Sequence, residues 1–360
     1  MGGCIGRRRQ ATLGTIGGAG AEEVAVLPCV NLRDLGSVCP TLRTGMVYRG
    51  SQVLSSKEME RIGVKTVVDL RKESKMCRQA GRERRRVLRE GESLRVAAPE
   101  PFTPDSASSM EQVAGKRFER SLHTLQRQEH PPCAACSGGF KARHGVDAAV
   151  YHADLHPWTF KRRIFLEMPP VTQASVAVAV CLGRSPQETI ARAMLMPGRL
   201  GLSGMYRLLL DNASVPIARA LRLFADSANY PVLVHCVIGK DRTGLVIMLL
   251  LLLCGMDEQA VVDDYLLSEA LLRTSRSKGE LSTLQDFLIS DEMIASKEDT
   301  ARGTLAHLAA KYGGARGYAR AIGLSDAEVR AIRGNLLAPG LKGAASAASV
   351  DICAAATCAC

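Results

Sequence analysis

The sequence contains no apolar run long enough to cross a bilayer. A membrane-spanning helix requires about 20 consecutive apolar residues, and the longest apolar stretch, Leu245 to Cys254, reaches only about half of that length. Cysteine is also too scarce for a disulfide scaffold, at 12 residues in 360, and no internal repeat is evident. We therefore expect a chain that does not cross a membrane, is not held together by disulfides and is not a repeat array.

Aromatic residues are scarce as well, at 4% of the chain, whereas the formal net charge is +11. Nucleic-acid-binding surfaces commonly combine basic residues with stacking aromatics. Here the positive surplus lies in the amino-terminal arm and in residues 77–147, away from such aromatics. We therefore expect no nucleic-acid partner, and the charge favours phosphorylated substrates and anionic membrane surfaces instead.

One segment, His235 to Gly244, lies between two strongly patterned stretches. Tyr230 to Val234 is a short apolar run with β-branched residues, which predicts a buried strand. Thr243 to Met256 is almost wholly apolar and contains a glycine near each end, which predicts a buried helix. The backbone N–H groups of Val237 to Arg242 can then point toward one centre, where the helix N-terminus adds partial positive charge. The pattern predicts an oxyanion site.

The side chains of this segment suit the transfer of a phosphoryl group. Cys236 opens the loop in a positive field, which favours the nucleophilic thiolate. Arg242 can meet two phosphate oxygens with its planar guanidinium. The Thr243 hydroxyl can stabilise the sulfur as leaving group when water cleaves a phosphocysteine, and we expect His235 to orient the loop from behind. The alternative is a buried structural cysteine before an ordinary strand-to-helix turn.

Cys236 to Arg242 matches the Cys-x5-Arg signature of the protein tyrosine phosphatase superfamily. The wording Gly-Lys-Asp-Arg-Thr-Gly resembles its bacterial-type tyrosine/serine phosphatase family, whose members include dual-specificity and phosphoinositide phosphatases. Further blocks that resemble the family are residues 31–36, 47–51, 63–71, 264–265 and 311–314. The resemblance implies a phosphatase that uses a phosphocysteine intermediate and needs no cofactor or metal. The phosphate-binding residues that it implies are Val237, Ile238, Gly239 and Lys240.

The resemblance and the alternation of strand-like and helix-like stretches predict the same architecture. We expect an α/β domain over residues 29–338, with a central, mostly parallel sheet and helices on both faces. A basic arm, 1–28, precedes it and an Ala/Cys-rich tail, 339–360, follows. Two segments interrupt the likeness. Residues 77–147 are rich in arginine, then in proline and serine, so we expect them to be largely disordered, and 171–200 resemble a second, smaller insertion.

Three aspartates compete for the role of general acid. Asp241 lies inside the loop beside the expected phosphate and ranks first. Asp69 ends an apolar strand and would emerge at the sheet edge where ligands bind in open α/β sheets, so it ranks second, and Asp154 ranks third. The alternative for Asp69 and Asp154 is that each forms a helix cap or turn, which is common for an aspartate at a strand end.

Lys240 is expected to place a second, mobile cation at the mouth of the pocket, a feature that resembles lipid phosphatases of the superfamily; the alternative is a solvated lysine. Three functions follow from these residues. The first is a phosphatase acting on phosphotyrosine or phosphoserine proteins, and the second is the same chemistry on phosphoinositides. The third is an inactive phosphate-binding adaptor, which the presence of Cys236, Asp241 and Arg242 together disfavours.

Cys133-Ala-Ala-Cys136, with His130 and His144 nearby, contains part of a zinc-ligand set. A second Cys-x-x-Cys pair, which would make that interpretation convincing, is missing. We therefore expect these cysteines to bind no metal.

The amino terminus resembles a lipidation signal. Removal of the initiator methionine would expose Gly2 to myristoylation, although position 6 carries another small residue in place of the usual Ser or Thr. Cys4 could take palmitate, and residues 7–9 could contact anionic headgroups, which together give the two signals that stable anchoring requires. We expect a cytoplasmic protein at the inner face of a membrane. The alternative is a chance match, as for Cys358-Ala359-Cys360, which resembles a double-prenylation signal.

Overall fold

The computed structural model describes residues 30–52, 55–72, 132–182, 190, 201–277 and 294–339. The predicted lipidation sites Gly2 and Cys4, the ending Cys358 to Cys360 and the arginine-rich part of 77–147 lie outside these residues.

Within this part of the chain, five short strands form one sheet. The strands are β1 (Arg33–Asp34), β2 (Val47–Gly50), β3 (Thr66–Asp69), β4 (Ala149–His152) and β5 (Val232–His235). The helices are α1 (Leu35–Val38), α2 (Ser56–Ile62), α3 (Ala134–His144), α4 (Trp158–Glu167), α5 (Pro170–Cys181), α6 (Gly201–Asn212), α7 (Ser214–Arg222), α8 (Asp241–Cys254), α9 (Glu258–Ser277), α10 (Glu298–Tyr312), α11 (Ala315–Ala321) and α12 (Asp326–Leu336).

The sheet has the strand order β1-β2-β5-β3-β4, and only the β1–β2 pair is antiparallel. In the register, His235 of β5 lies beside Gly50 of β2 on one side and Asp69 of β3 on the other, and Asp69 in turn lies beside His152 of β4. The carboxyl ends of four parallel strands therefore meet at one edge. Ligands bind at this edge in open α/β sheets.

Alternate strand residues point to opposite sides of the sheet. Because residues on both sides are apolar, helices cover both faces. Val232 and Val234 of β5 belong to the main core with α8, whereas Leu233 packs with Met59 of α2 and Phe140 of α3. The predicted α/β architecture with a mostly parallel sheet and helices on both faces is confirmed.

Helix α8 is buried along almost its whole length, as its apolar sequence requires. It begins at Asp241, two residues before the predicted start, and it ends where Gly255 adopts a left-handed conformation with φ 90°. Such a glycine is the common helix terminator. No helix of the described residues is both long and apolar enough to span a membrane.

The prediction of disorder for residues 77–147 is wrong at their carboxyl end. Residues Ala134–His144 form α3. Phe140 of this helix is 4% exposed and packs with Met59 and Ile62 of α2 on one face of the sheet. The backbone N–H of Cys133 also donates to the Val150 carbonyl of β4 at 2.7 Å. An aromatic anchor and an edge-strand contact thus order a segment whose composition is poor in apolar residues. The first part of the second predicted insertion, 171–200, is also helical, since it lies in α5, Pro170–Cys181.

Candidate active site

The site is built on the loop that joins β5 to α8, at the sheet edge where the parallel strands end. Three consecutive carbonyls of this loop accept hydrogen bonds from groups outside it: Val237 from the Gln52 amide at 3.0 Å, Ile238 from Asn31 Nδ2 at 3.1 Å and Gly239 from Arg49 Nη2 at 2.8 Å. In a trans peptide the carbonyl and the following N–H point in opposite directions. The N–H groups of Ile238, Gly239 and Lys240 therefore face the interior of the loop.

The first turn of α8 extends this arrangement. The Lys240 carbonyl accepts from the Gly244 N–H at 2.7 Å, so the helical hydrogen-bond pattern starts there and the preceding amides remain as donors. The helix N-terminus adds partial positive charge to the same space. Cys236, which is 2% exposed, opens the loop at the foot of this space. The geometry is that of an anion site with a thiol at its base.

Gly239 is required by the loop for two independent reasons. Its φ is 72°, in the left-handed region that side chains disfavour. A Cβ at this position would lie 2.3 Å from the Gly50 carbonyl oxygen of β2, which is closer than atoms can approach. The loop thus passes directly over the end of the neighbouring strand, and only glycine allows that approach.

A buried charge cluster supports the loop from below. The Asp264 carboxylate of α9 pairs with Arg49 Nη1 and, at 2.9 Å, with Arg33 Nε. Arg33 also donates to Asn31 Oδ1, so the groups that hold the loop carbonyls are connected to one another. Burial would raise the pKa of Asp264, but the charges and hydrogen bonds of Arg49 and Arg33 lower it below its ordinary value. Burial lowers the pKa of Arg33 to about 10, so both partners stay charged at neutral pH.

The structure places Arg242 and Thr243 in the first turn of α8, next to the loop. Arg242 Nη1 lies 3.4 Å from the Leu70 carbonyl, beyond the end of β3. The Thr243 hydroxyl is fully buried and has no hydrogen-bond partner among the described residues. A buried hydroxyl without a partner is costly, which is consistent with a donor kept for the sulfur or a bound anion.

His235, the last residue of β5, is buried where the strand leads into the loop. It is 4% exposed, and its Nδ1 lies 3.2 Å from the Cys236 carbonyl while its Nε2 lies 3.9 Å from Asp69 Oδ2. Burial lowers the pKa of His235 below its ordinary value, and the attraction of Asp69 only partly opposes this. The imidazole is therefore neutral at neutral pH, and its contact with the Cys236 carbonyl supports the turn into the loop.

Asp69 is held by Arg71 as an ionised carboxylate. It accepts from the backbone N–H, Nε and Nη2 of Arg71, at 3.0, 2.8 and 2.7 Å. Burial would raise its pKa, but His235 and Arg71 lower it well below the ordinary value. A carboxyl in this state is a poor proton donor, so the structure argues against the general-acid role considered for Asp69. It orients Arg71, whose guanidinium is close enough to Cys236 for their charges to interact.

Asp154 forms a turn, as the alternative interpretation of this residue held. Its Oδ1 accepts from the His156 N–H at 2.9 Å, two residues ahead, and its Oδ2 lies 3.8 Å from Lys161 Nζ. This is the local pattern of an aspartate that shapes the chain after a strand. The structure therefore favours a structural role for Asp154 over that of a proton donor.

Asp241 retains the position expected of a general acid. Its Oδ1 accepts from the Tyr206 hydroxyl at 2.8 Å and lies 3.4 Å from Lys240 Nζ. Its side chain is 21% exposed, whereas those of Tyr206 and Lys240 are fully buried. Two buried groups thus hold one carboxylate oxygen at the edge of the loop.

The expected position of Lys240 is wrong. Its side chain is fully buried, and Nζ donates to the Ala295 carbonyl at 2.8 Å. The ammonium is satisfied inside the protein by this carbonyl and by Asp241, so it does not extend as a mobile cation at the pocket mouth. Lys240 instead ties the segment before α10 to the loop, and only its backbone N–H faces the anion site.

Two residues that border the site, Tyr206 and His156, were not predicted from the sequence. Tyr206 comes from α6, outside every motif, and burial followed by the nearby Asp241 carboxylate raises its pKa well above the ordinary value, so it stays a hydrogen-bond donor. His156 stacks on Phe160 with ring centroids 5.0 Å apart. Burial and the charge of Arg242 lower its pKa to about 3, so it is neutral beside that guanidinium. No local pattern marked either residue, since both reach the site through tertiary packing.

Comparison with known protein families identifies the family to which a chain with this loop belongs. A family model described as the tyrosine phosphatase family matches residues 24–155 and 170–338, which is most of the chain. The chain belongs to the tyrosine phosphatase family. The match includes the loop from Cys236 to Arg242 and the strands and helices that support it.

Curated relatives resemble parts of this tyrosine phosphatase family member. It is 31% identical over 141 residues to the triple specificity protein phosphatase PtpB of Mycobacterium tuberculosis, covering 35% of this chain and 50% of the relative. It is 32% identical over 133 residues to a tyrosine-protein phosphatase of Nostoc commune, covering 34% and 45%. A third match, 37% over 67 residues, is to the inositol diphosphatase DSP2 of Oryza sativa subsp. japonica, covering 19% and 33%. The chain spans half or less of the length of these relatives.

We predict that Gly239→Ala destabilises the fold and abolishes phosphate binding. The new Cβ must displace the loop from Gly50, which rotates the inward amides. Gly63→Ala is the matched control, because Gly63 has a similar φ of 63° and nothing within 4 Å of its Cβ position. It should cost only the left-handed penalty of about 1–2 kcal/mol. The measurements are the free energy of unfolding and the thermal shift caused by inorganic phosphate; equal effects of the two variants would contradict the loop geometry.

We predict that Asp264→Asn lowers the free energy of unfolding by about 3–5 kcal/mol, because it leaves two buried guanidinium groups without their counter-charge. Glu298→Gln, in an exposed pair with Arg302, should cost about 0–1 kcal/mol. Because the pKa of Asp264 is lowered in the folded state, its stabilisation is present above the unfolded-state pKa and is lost as the pH falls. Urea titrations should therefore show the wild-type advantage shrinking in acid; a constant difference would refute the charge-based account.

Proposed function

We propose that the protein is a cysteine-dependent phosphatase that hydrolyses phosphomonoesters of phosphotyrosine and phosphoserine proteins through a phosphocysteine intermediate. One observation carries this proposal: the loop carbonyls of Val237, Ile238 and Gly239 are all held outward, so that the amides surround the space above Cys236. A structural cysteine would not require such an arrangement. Arg242 at the start of α8 supplies the fixed cation that a dianionic phosphate requires.

In the first step, the Cys236 thiolate attacks phosphorus, a P–S bond forms and the bond from phosphorus to the ester oxygen breaks. The inward amides and Arg242 bind the non-bridging oxygens, whose charge the transition state spreads. Asp241 gives its proton to the leaving oxygen. In the second step, Asp241 takes a proton from water, which attacks phosphorus, and the sulfur leaves as a thiolate that the Thr243 hydroxyl stabilises.

The assignment of the acid rests on hydrogen-bond partners. Asp69 accepts three bonds from Arg71, and Asp154 is engaged in its own turn. Asp241 uses one oxygen for Tyr206 and Lys240 and lies partly exposed at the loop. Tyr206 positions that carboxyl through Oδ1, which leaves Oδ2 to carry the proton toward substrate.

A second candidate function is the hydrolysis of inositol phosphates or phosphoinositides. One relative is named an inositol diphosphatase, and the net charge of +11 suits a highly phosphorylated substrate. The burial of Lys240 removes the cation on which this candidate first rested. Parallel rates on tyrosine phosphopeptides, short-chain phosphoinositides and inositol polyphosphates distinguish the two candidates, since the proposal requires the phosphopeptides to have the highest kcat/KM.

We predict that Cys236→Ser loses turnover of a simple aryl phosphate but still binds inorganic phosphate, because the amides and Arg242 remain. Acid quenching during turnover of a radioactively labelled substrate should trap label on the wild-type protein and none on the variant. Cys181→Ser is the matched control, because Cys181 is an exposed cysteine at the end of α5. Turnover by Cys236→Ser equal to the wild-type rate would dismiss covalent catalysis by this thiol, whereas phosphate binding without turnover in the wild-type protein would leave a phosphate-binding adaptor.

We predict that Asp241→Asn slows hydrolysis of alkyl phosphates such as phosphoserine by about 10²–10⁴-fold, the usual contribution of a general acid. Aryl phosphates with acidic leaving groups need little protonation and should lose much less. The measurement is kcat/KM across a series of leaving groups, because it reports the first step and not the later hydrolysis of the phosphocysteine. Asp154→Asn serves as control and should keep the wild-type dependence on the leaving group; a steep dependence in that variant alone would move the acid to Asp154.

A further inference from the structure

Three potential metal ligands meet at the outer edge of the sheet, separated from the loop Cys236 to Arg242 by Asp69 and Arg71. Cys133 is the residue before α3, Cys136 lies in the first turn of α3, and His152 is the last residue of β4. Their ligand atoms all lie within 4.8 Å of one another, and His152 Nε2 is 3.1 Å from Cys136 Sγ. His144, the nearby histidine predicted from the sequence as a possible ligand, instead packs against Phe140 with the rings tilted by 49°. His130 is outside the described residues.

Backbone hydrogen bonds fix the start of α3 against β4. The Cys133 N–H donates to the Val150 carbonyl at 2.7 Å, and the Val150 N–H donates to Ser137 Oγ at 2.9 Å. The Ser137 N–H in turn donates to the Cys133 carbonyl at 2.9 Å, which closes the first helical turn. Both cysteines are thereby held beside His152 by the main chain. The fold therefore fixes the backbone positions from which the three ligand side chains extend.

The donor atoms suit zinc. Two thiolates and an imidazole are among the commonest zinc ligands, and tetrahedral zinc has Zn–S distances of about 2.3 Å and Zn–N distances of about 2.0–2.1 Å. These values place ligand atoms about 3.5–3.8 Å apart. An ion therefore requires Cys136 Sγ and His152 Nε2 to separate by about half an ångström, and a pair at the 4.8 Å limit to close by about 1 Å, which side-chain rotation supplies. Sulfur and nitrogen ligands also disfavour magnesium and calcium, which prefer oxygen.

The Asp69 carboxylate lies on the opposite side of His152, with Oδ2 3.8 Å from Nδ1, which is beyond hydrogen-bond distance. A zinc-bound histidine usually donates its second ring N–H to a carboxylate, which fixes the tautomer that presents the other nitrogen to the metal. Asp69 would take this role once the imidazole moves toward it on binding the ion. His152 is 8% exposed, and both cysteines are half-buried, so solvent can reach the site and supply the fourth ligand.

We propose that Cys133, Cys136 and His152 form a zinc-binding site, with water as the fourth ligand and Asp69 as the carboxylate that orients His152. The proposal does not depend on the proposed phosphatase function. Asp69 separates the proposed metal site from the candidate active site. It lies close to His152 on one side and to Arg71 and His235 on the other.

The test uses the full chain with the substitution Cys236→Ser, so that the candidate nucleophile cannot bind the metal. The reduced, metal-free protein is titrated with Zn²⁺ against a chromophoric chelator, and with Co²⁺, whose absorption bands report thiolate ligands and tetrahedral geometry. We expect a site that loses at least tenfold in affinity in Cys136→Ser and in His152→Ala. Asp69→Asn should weaken it by about 10–100-fold, as expected for a partner of a metal-bound histidine. Cys181→Ser, at an exposed cysteine, should leave it unchanged.

Other cysteines of the chain could bind Zn²⁺, so the differences between variants decide the assignment. Thermal unfolding of each variant, with and without Zn²⁺, checks that it folds; Cys133→Ser and His152→Gln provide second variants at the site if one does not. The proposal is overturned if the Cys236→Ser chain binds no Zn²⁺ or Co²⁺, or if affinity is the same in all cluster variants. It is also overturned if the reduced chain binds no metal while mild oxidation joins Cys133 to Cys136, because the pair would then be a redox dithiol.

Discussion

The buried Asp264 carboxylate holds the loop between β5 and α8 in place through Arg49 and Arg33, the two arginines that it neutralises. Several amides that point into one small space repel one another, so the loop needs partners for its outward carbonyls when no anion is bound. Arg49 supplies one of these partners, and Arg33 supplies another through Asn31. Without Asp264 the same guanidinium groups would carry unbalanced charge in the protein interior, which costs more than their hydrogen bonds return.

This dependence explains why the amino-terminal blocks belong to the site: their side chains hold the loop from outside it. Residues 31–36 and 47–51 form the two strands that bring Asn31 and Arg49 beneath a loop about 190–210 positions later in the chain. Gly50 completes the contact, because its carbonyl lies where a side chain on residue 239 would be. The loop conformation is therefore determined by the sheet edge as much as by its own sequence.

The contiguous motif could be predicted from sequence because its context is local. An apolar strand, a loop and a buried helix follow one another along the chain, so Cys236, the loop amides and Arg242 had to lie at one helix N-terminus. Lys240 was misplaced because the same local pattern does not say which side chains turn inward; its partner, Ala295, lies 55 residues away. Tyr206 and His156 were missed for the same reason. The order of α3 was missed because composition cannot reveal the docking of Phe140 and Cys133.

The three carboxylates at the sheet edge differ in what surrounds them, and this separates their roles. Asp69 is paired with Arg71 and lies close to His235 and His152, so losing its negative charge would leave the Arg71 guanidinium without its counter-charge. Asp154 is engaged with its own backbone. Asp241 alone combines partial exposure, a position inside the loop and a single engaged oxygen among the described contacts. A proton donor must change charge in each cycle. The negative charge of a bound phosphate favours the protonated form of the proposed donor, Asp241, and Lys240 Nζ keeps the Ala295 carbonyl as a partner while that carboxyl is neutral.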